Sequence, residues 1–464
     1  MAPDVAKIKK VIIATIPSFV IARSGTTWRS ILECQCCGHG LPRFARNDEF
    51  GKFVISLPFK NIDAMNARTT GYCQLADLAD AKASLIQIRH HLHQHPELSF
   101  KEVATSELVA NYLTEWGYEV TRNVGGHGLV GRIRQGDGTR SVSVRADMDA
   151  LPIAEENTLP HASQHAGVMH ACGHDGHTTM LLGAARQLAR TRNFSGTVNL
   201  VFQPAEEAAR NSGAQRMIAD GLFERFPCDA IFGMHNHPGY PVGTFMFGSG
   251  PFMSASDTVL ITIHGRGGHA ARPHLAVDPV LIAGSLVMAL QSVVSRNIDP
   301  TQTAIITVGT LNTGIAPNVI PESAKMGLSV RSFSAEVRER LRQRITELVT
   351  LHVQGYGGTV EIDYQSGSPV LVNSAAETAF ALAVAQELVG QAQTIAPFGP
   401  VTGSEDFAYY LQHRPGCFLR VGNGEAAPML HNANYDFNDD NLVVGAAYWT
   451  RLVEKFLAQG AAPV

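Results

Sequence analysis

A chain of 464 residues is longer than one hydrophobic core usually organises, so two or three domains are expected. With 45% hydrophobic and 17% charged residues and a formal net charge of −4, it reads as an ordinary globular protein, with no electrostatic case for nucleic acid. Its seven cysteines are an odd number without framework spacing, which argues against a disulfide scaffold and for a reducing, cytoplasmic setting.

Residues 1–70 show little periodicity. "KIKKVIIATIPSFVIARS" has the basic start and apolar run of a signal peptide, but Thr15, Pro17 and Ser18 interrupt the run. It is too short to span a bilayer and lacks a small-residue cleavage site, so neither secretion nor membrane association is the preferred reading. Residues 1–64 hold nine Lys and Arg against five Asp and Glu, a positive segment on an otherwise acidic chain. This part reads as a dispensable extension. Its "CQCCGHG" looks metal-hungry, yet the cysteine spacings are not those of a zinc finger and no second ligand pair follows.

From about Gln74 the pattern is that of a compact enzyme. "LADLADAKASLIQIRHHLHQHPEL" and "SFKEVATSELVANYLTEWG" read as amphipathic helices, the second ended by Gly117. "SVSVRADMDALP", "GTVNLVFQPAEE" and "DAIFGMHNHP" are apolar strands whose C-terminal ends deliver polar residues, with a helix, "GHTTMLLGAARQLAR", between the first two. Strands alternating with helices imply an α/β domain with a mostly parallel sheet, whose sites gather at the carboxyl ends of the strands. This first part of the catalytic domain spans 71–254. Residues 255–366 then follow a β-α-β-β-α-β order, the split pattern of a ferredoxin-like α+β unit, between the joints "GSGPFMSAS" and "QSGSPV". The α/β pattern returns over 367–464, with a helix at 375–389, the strand "GCFLRVG" and a closing helix after Asp440.

Thiolate, imidazole and carboxylate donors cluster at the strand ends: Cys172 and His174 in "MHACGHDGH", the pair Glu206 and Glu207, His235 with His237, and far downstream His431. Each motif alone is weak, because a histidine at a strand end is more often an ordinary hydrogen-bonded residue. Adjacent side chains on extended backbone point to opposite sides, so one of the two glutamates could bind metal while the other faces water.

Taken in order, "RHHLHQHPELSFKE", "RADMDALPI", "MHACGHDGHT", "FQPAEE", "GMHNHP", "GRGGHAARPH", "PNVIP", "GSEDFA" and "LHNANYDFND" resemble the motif series of the metal-dependent amidohydrolases. The likeness is to the branch of hippurate hydrolases, N-acyl-amino-acid amidohydrolases and indole-acetyl-amino-acid hydrolases, and it covers about 75–455. It implies a zinc-peptidase-like catalytic domain with an inserted lid, and hydrolysis of N-acyl amino acids to a carboxylic acid and an amino acid. It also implies two divalent metal ions, manganese or zinc, with cobalt or nickel as alternatives. Cys172, His174, Glu207, His235 and His431 would be the ligands, with Cys172 bridging; Glu206 would be the general base, and Asp147 the acid that orients a ligand imidazole. In the lid, His269 would polarise the scissile carbonyl, in some relatives across a dimer. Asn318 and Arg331 would hold the substrate's carboxylate, a task suited to a guanidinium fork. A homodimer or higher homo-oligomer through the lid is expected, with a small-molecule substrate as the other partner. Two rival classes stand beside this reading: a cysteine hydrolase with Cys172 as nucleophile, and a non-catalytic binding protein on the same fold.

Overall fold

The computed structural model describes residues 71–208 and 210–458; the extension and its "CQCCGHG" lie outside them. Helices α1 (Lys82–Gln94) and α2 (Val103–Glu115) lead into strands β1 (Glu119–Arg122), β2 (Leu129–Gln135) and β3 (Ser141–Asp147). After a long loop come α3 (His174–Thr191), β4 (Gly196–Gln203), the short helices α4 (Gly213–Ala219) and α5 (Leu222–Arg225), and β5 (Ala230–His237). The short strands β6 (Phe245–Met246) and β7 (Gly250–Met253) follow. An inserted stretch holds β8 (Ala255–His264), β9 (Gly268–His269), α6 (Pro279–Asn297), β10 (Ala304–Thr313), β11 (Val319–Ile320), β12 (Ser323–Ser332), α7 (Ala335–Gly355) and β13 (Thr359–Ser366). The chain returns through β14 (Leu371–Asn373), α8 (Ala375–Val389), β15 (Thr394–Ile395), α9 (Phe407–Leu411), β16 (Gly416–Gly422) and α10 (Asp440–Phe456).

The large sheet runs β1-β2-β4-β3-β5-β16-β6-β15. Its centre, β4-β3-β5-β16, is parallel, while β1 and β2 add antiparallel strands at one end and β6 runs antiparallel to β16 near the other. The parallel strands are apolar along their length because both faces are covered. On β5, Ala230, Phe232 and Met234 join the core under α1, α3, α8 and α10, and Ile231 faces a second core with Phe252, Phe407 and Phe418. Helix α3 is buried nearly all round and lies tightly against α10: a Cβ on Gly183 would stand 2.7 Å from the Cβ of Ala446, and one on Gly445 would stand 2.1 Å from Met180 Sδ. That packing fixes where α3 begins, and α3 begins at a candidate ligand.

The inserted stretch has its own antiparallel sheet, β10-β12-β8-β13, the strand order of a ferredoxin-like sandwich. On β8, Val259, Ile261 and Ile263 point into a separate core with α6 and α7, whereas Leu260 between them is exposed. Helix α6 is apolar and long enough to cross a membrane, yet Ile282, Ala283, Leu286, Leu290 and Val293 form one buried stripe against this sheet.

Candidate metal centre

The cluster forms where the carboxyl ends of β3, β4 and β5 meet the loop before α3. Gly173, the residue preceding α3, has φ 90°. A Cβ there would stand 2.4 Å from Asn236 Nδ2 and 2.5 Å from Tyr435 Oη, so only glycine lets the chain turn between Cys172 and His174. Asn236 holds the same turn: its Nδ2 donates to the Cys172 carbonyl at 2.7 Å, and its Oδ1 accepts from Tyr435 Oη at 2.7 Å. His431 reaches the cluster from the returning chain with φ 66°, a rare conformation for a side-chain-bearing residue. Its N–H donates to the Ala171 carbonyl at 2.8 Å, which pins it.

Cys172, His174 and His235 place ligand atoms within 4.8 Å of one another, and so do Cys172, Glu207 and His431. Cys172 belongs to both sets. His235 Nδ1 lies 2.7 Å from the Asn236 carbonyl oxygen, to which it can only donate; Nε2, 3.3 Å from Cys172 Sγ, is therefore left as a lone pair. Burial, helped by His177 and Arg420, holds His235 well below the usual imidazole range, so the ring is neutral. Burial pushes the Cys172 thiol well up, and Glu207, Glu206 and Asp147 add to the effect. His431 Nε2 stands 3.1 Å from Glu207 Oε1.

His174 is the centre of charge. Its Nδ1 lies 3.3 Å from Asp149 Oδ1 and its Nε2 3.7 Å from Asp147 Oδ2, yet neither nitrogen makes a hydrogen bond. Burial opposes charge on this ring, but Asp147, Asp149 and Glu207 outweigh it and raise its pKa to about 10. Three carboxylates thus stabilise a positive charge at this spot.

The two glutamates do not sit on extended backbone as the sequence reading has it. They follow β4 in a turn entered through Ala205 at φ 50°, and their N–H groups donate to Asp149 Oδ1 and Oδ2, each at 3.0 Å. What each faces separates them. Glu207 groups with Cys172 and His431, Glu206 groups with Glu405 and Asp406, and both have an oxygen near His174. Burial, then Glu405, Glu207 and Asp406, push the Glu206 carboxyl well above its usual range.

Asp147 and the remaining histidines have definite places. Asp147 Oδ1 accepts from His177 Nδ1 at 2.6 Å and Oδ2 from Arg145 Nη1 at 2.7 Å; the carboxylate nearest a His174 nitrogen belongs to Asp149. His177 Nε2 accepts the Asn236 N–H at 3.1 Å, so both its nitrogens are committed and it braces the site. His170 is buried outside every ligand group found among the described residues, and His237 Nδ1 accepts from Arg420 Nη1 at 3.1 Å. His269 and Asn318 come together at the small two-stranded β9–β11 sheet, where the Ala270 N–H donates to the Asn318 carbonyl at 3.1 Å. Both are exposed, and neither hydrogen-bonds to the cluster. Arg331 on β12 donates from Nη1 to Ser404 Oγ at 3.0 Å, linking the insertion to the residue before Glu405.

Sequence reasoning passed over Asp149, Asn236, Arg145, Glu405 and Asp406. Arg145 is buried and its guanidinium reaches Gln203 Oε1 at 2.8 Å, Glu405 Oε1 at 2.9 Å and Asp406 Oδ1 at 3.1 Å besides Asp147. An arginine inside an otherwise apolar strand was the available signal, since a buried cation requires anions around it.

Whether these residues suit a metal is tested by their unmet donors. Both nitrogens of His174 and Oε1 of Glu207 are buried without a hydrogen bond, and thiolate, imidazole and carboxylate atoms converge around them. Divalent cations satisfy such a donor set and relieve the repulsion among its acids. The residues fit.

Fold and donor set are those of a metallohydrolase. The chain belongs to peptidase family M20/M25/M40, whose sequence profile matches residues 143–455. It is 41% identical over 383 residues to a hippurate hydrolase of Campylobacter jejuni, covering 82% of this chain and 99% of that one. It is 40% identical over 375 residues to an N-acetyl-L-cysteine deacetylase of Bacillus subtilis, covering 80% and 88%. Among solved structures it is similar to the Bacillus subtilis YXEP protein, described as a dinuclear metal binding peptidase, with a TM-score of 0.70 and 33% identity over 81% of this chain and 98% of that one.

Proposed function

We propose that the protein is a metal-dependent amidohydrolase that cleaves the amide bond of N-acyl amino acids, releasing a carboxylic acid and an amino acid. The observation that carries this is the convergence of Cys172, His174, Glu207, His235 and His431 beside a separate carboxyl group, Glu206. The five ligands would hold two divalent cations, zinc or manganese, with the thiol leaning towards zinc. Bound there, the cations would polarise the amide carbonyl and acidify water. Glu206 would take the water's proton and return it to the leaving nitrogen. Asp149 would hold Glu206 and Glu207 in place through their backbone N–H groups and face His174 from behind. Asp147 would keep His177 rigid under the site.

On the insertion, Arg331 and Asn318 would hold the substrate's carboxylate and His269 would donate to the scissile carbonyl oxygen. The exposure of His269 and Asn318 beside the β9–β11 sheet supports a role for His269 in a neighbouring subunit's site or after the insertion closes as a lid. Exposed Leu281 and Met288 on α6 support a homodimer through this unit. We place the protein in the cytoplasm.

A screen of N-acetyl-, N-benzoyl- and indole-acetyl-amino acids, before and after chelation and metal restoration, tests the reading. Turnover that follows the metal is the expected result. Hydrolysis indifferent to chelation would instead make Cys172 a nucleophile.

A further inference from the structure

Four arginines are buried among the described residues: Arg89, Arg145, Arg420 and Arg451. Three are ion-paired, Arg89 to Asp436 at 2.6 Å, Arg145 to Asp147 at 2.7 Å and Arg451 to Glu387 at 3.0 Å. Among the described residues no carboxylate stands within 4.0 Å of Arg420, and Glu405 and Cys172 act on it only from further away. It is 3% exposed; its hydrogen bonds run from Nη1 to His237 Nδ1 at 3.1 Å and from Nη2 to Met253 Sδ at 3.2 Å, and Nε has no partner. A guanidinium carries five N–H donors and stays charged in proteins, so a buried one that hydrogen-bonds only to an imidazole and a thioether has donors left for an anion.

Its position says where that anion would come from. Arg420 on β16 is the register partner of His235 on β5, so it stands beside a candidate metal ligand. Above it His237, Tyr240 and Phe398 form a half-buried aromatic rim with ring centroids 5.4 to 5.7 Å apart, and Phe252 lies 5.8 Å from its guanidinium carbon. Arg331, in contrast, approaches from the insertion through Ser404. Two guanidiniums without ion-pair partners therefore lie near the cluster, one on the large sheet and one on the insertion.

We propose that the aromatic rim beside Arg420 forms the acyl subsite, and that Arg420 selects acyl groups ending in a carboxylate, of which succinyl is the simplest. The substrate would be a dianion, its amino-acid carboxylate on Arg331 and its acyl carboxylate on Arg420, with the scissile amide between them. A planar fork receives a carboxylate bidentately, and the aromatic rim packs against the chain that carries it. This rests on the N-acyl amino acid reading above.

The test compares full-length, metal-loaded wild type, Arg420→Met and Arg420→Lys on N-succinyl, N-butyryl and N-acetyl derivatives of one amino acid. Wild type should favour N-succinyl over N-butyryl, which has the same chain length. Arg420→Met should reduce that ratio of kcat/KM by roughly ten- to a hundredfold, with Lys restoring part of it. A wild-type ratio at or below one overturns the proposal. So does an equal fall on both substrates accompanied by loss of metal, which would assign Arg420 to holding Cys172. If none of the three is hydrolysed, calorimetric titration with succinate and butyrate still decides on Arg420, and the N-acyl reading itself fails only if the N-benzoyl and indole-acetyl derivatives are untouched too. Tighter binding of succinate by wild type, lost in Arg420→Met, supports its role; equal binding of the two acids sinks it.

Discussion

The Nε2 of His235 stands 3.3 Å from the Sγ of Cys172, and neither partner can carry the charge that a catalytic thiol pair would need. Acids and burial raise the thiol, while burial keeps the imidazole neutral, so proton transfer from Cys172 to His235 is opposed on both sides. A bound divalent cation would reverse this, because it would favour the Cys172 thiolate and the neutral His235 ring as ligands.

Chelation is therefore expected to abolish amide hydrolysis and to lower the melting temperature, with both recovering when zinc or manganese is restored. Ligand linkage is worth about 2.7 kcal/mol at a hundredfold excess over Kd. Calorimetric scans with and without metal, run beside the assay, check it. An unchanged melting temperature would mean that the cluster binds no metal.

Two adjacent glutamates should separate cleanly. Glu206→Gln leaves all five proposed ligands, so about two metals per chain are expected to remain while kcat falls by at least ~10²–10⁴. Glu207→Gln removes an anion facing Cys172 and His431, so metal affinity falls too, and activity returns in part at high metal concentration. Metal stoichiometry and kcat on both variants decide. The reverse pattern would exchange the two roles.

Asp149→Asn tests the residue that the structure adds to the site. Its carboxylate accepts from Ser99 Oγ at 2.7 Å and from the N–H groups of Glu206 and Glu207, whereas an amide must turn donors towards donors. Leaving a buried donor unmet costs about 1–3 kcal/mol, and disturbing a ligand's support typically costs ten- to a hundredfold in metal affinity. A metal titration that matches wild type would show that Asp149 does not hold the site.

Arg331→Ala should weaken substrates with a free carboxylate far more than their amides or methyl esters, by roughly 1.5–3 kcal/mol for a charge-assisted bond. The Ser404 contact gives the alternative outcome. If Arg331 only ties the insertion to the 404–405 segment, acid and amide substrates lose kcat/KM equally.

Short apolar runs ending in polar residues marked β3, β4 and β5 in the sequence, and their alternation with helices implied parallel pairing. The ligand types were legible too, because Cys172, His174, Glu207, His235 and His431 lie in motifs whose composition suits a metal. Strand periodicity could not supply the backbone around Glu206 and Glu207, where Ala205 at φ 50° replaces strand alternation with a turn held by Asp149. Nor could it distinguish His177 from His235: both are imidazoles in histidine-rich stretches. One has both nitrogens committed and the other keeps a lone pair for Cys172. That difference, like the lack of an ion-pair partner at Arg420, depends on groups brought from distant segments, and only the tertiary packing of α3, β5 and β16 brings them together.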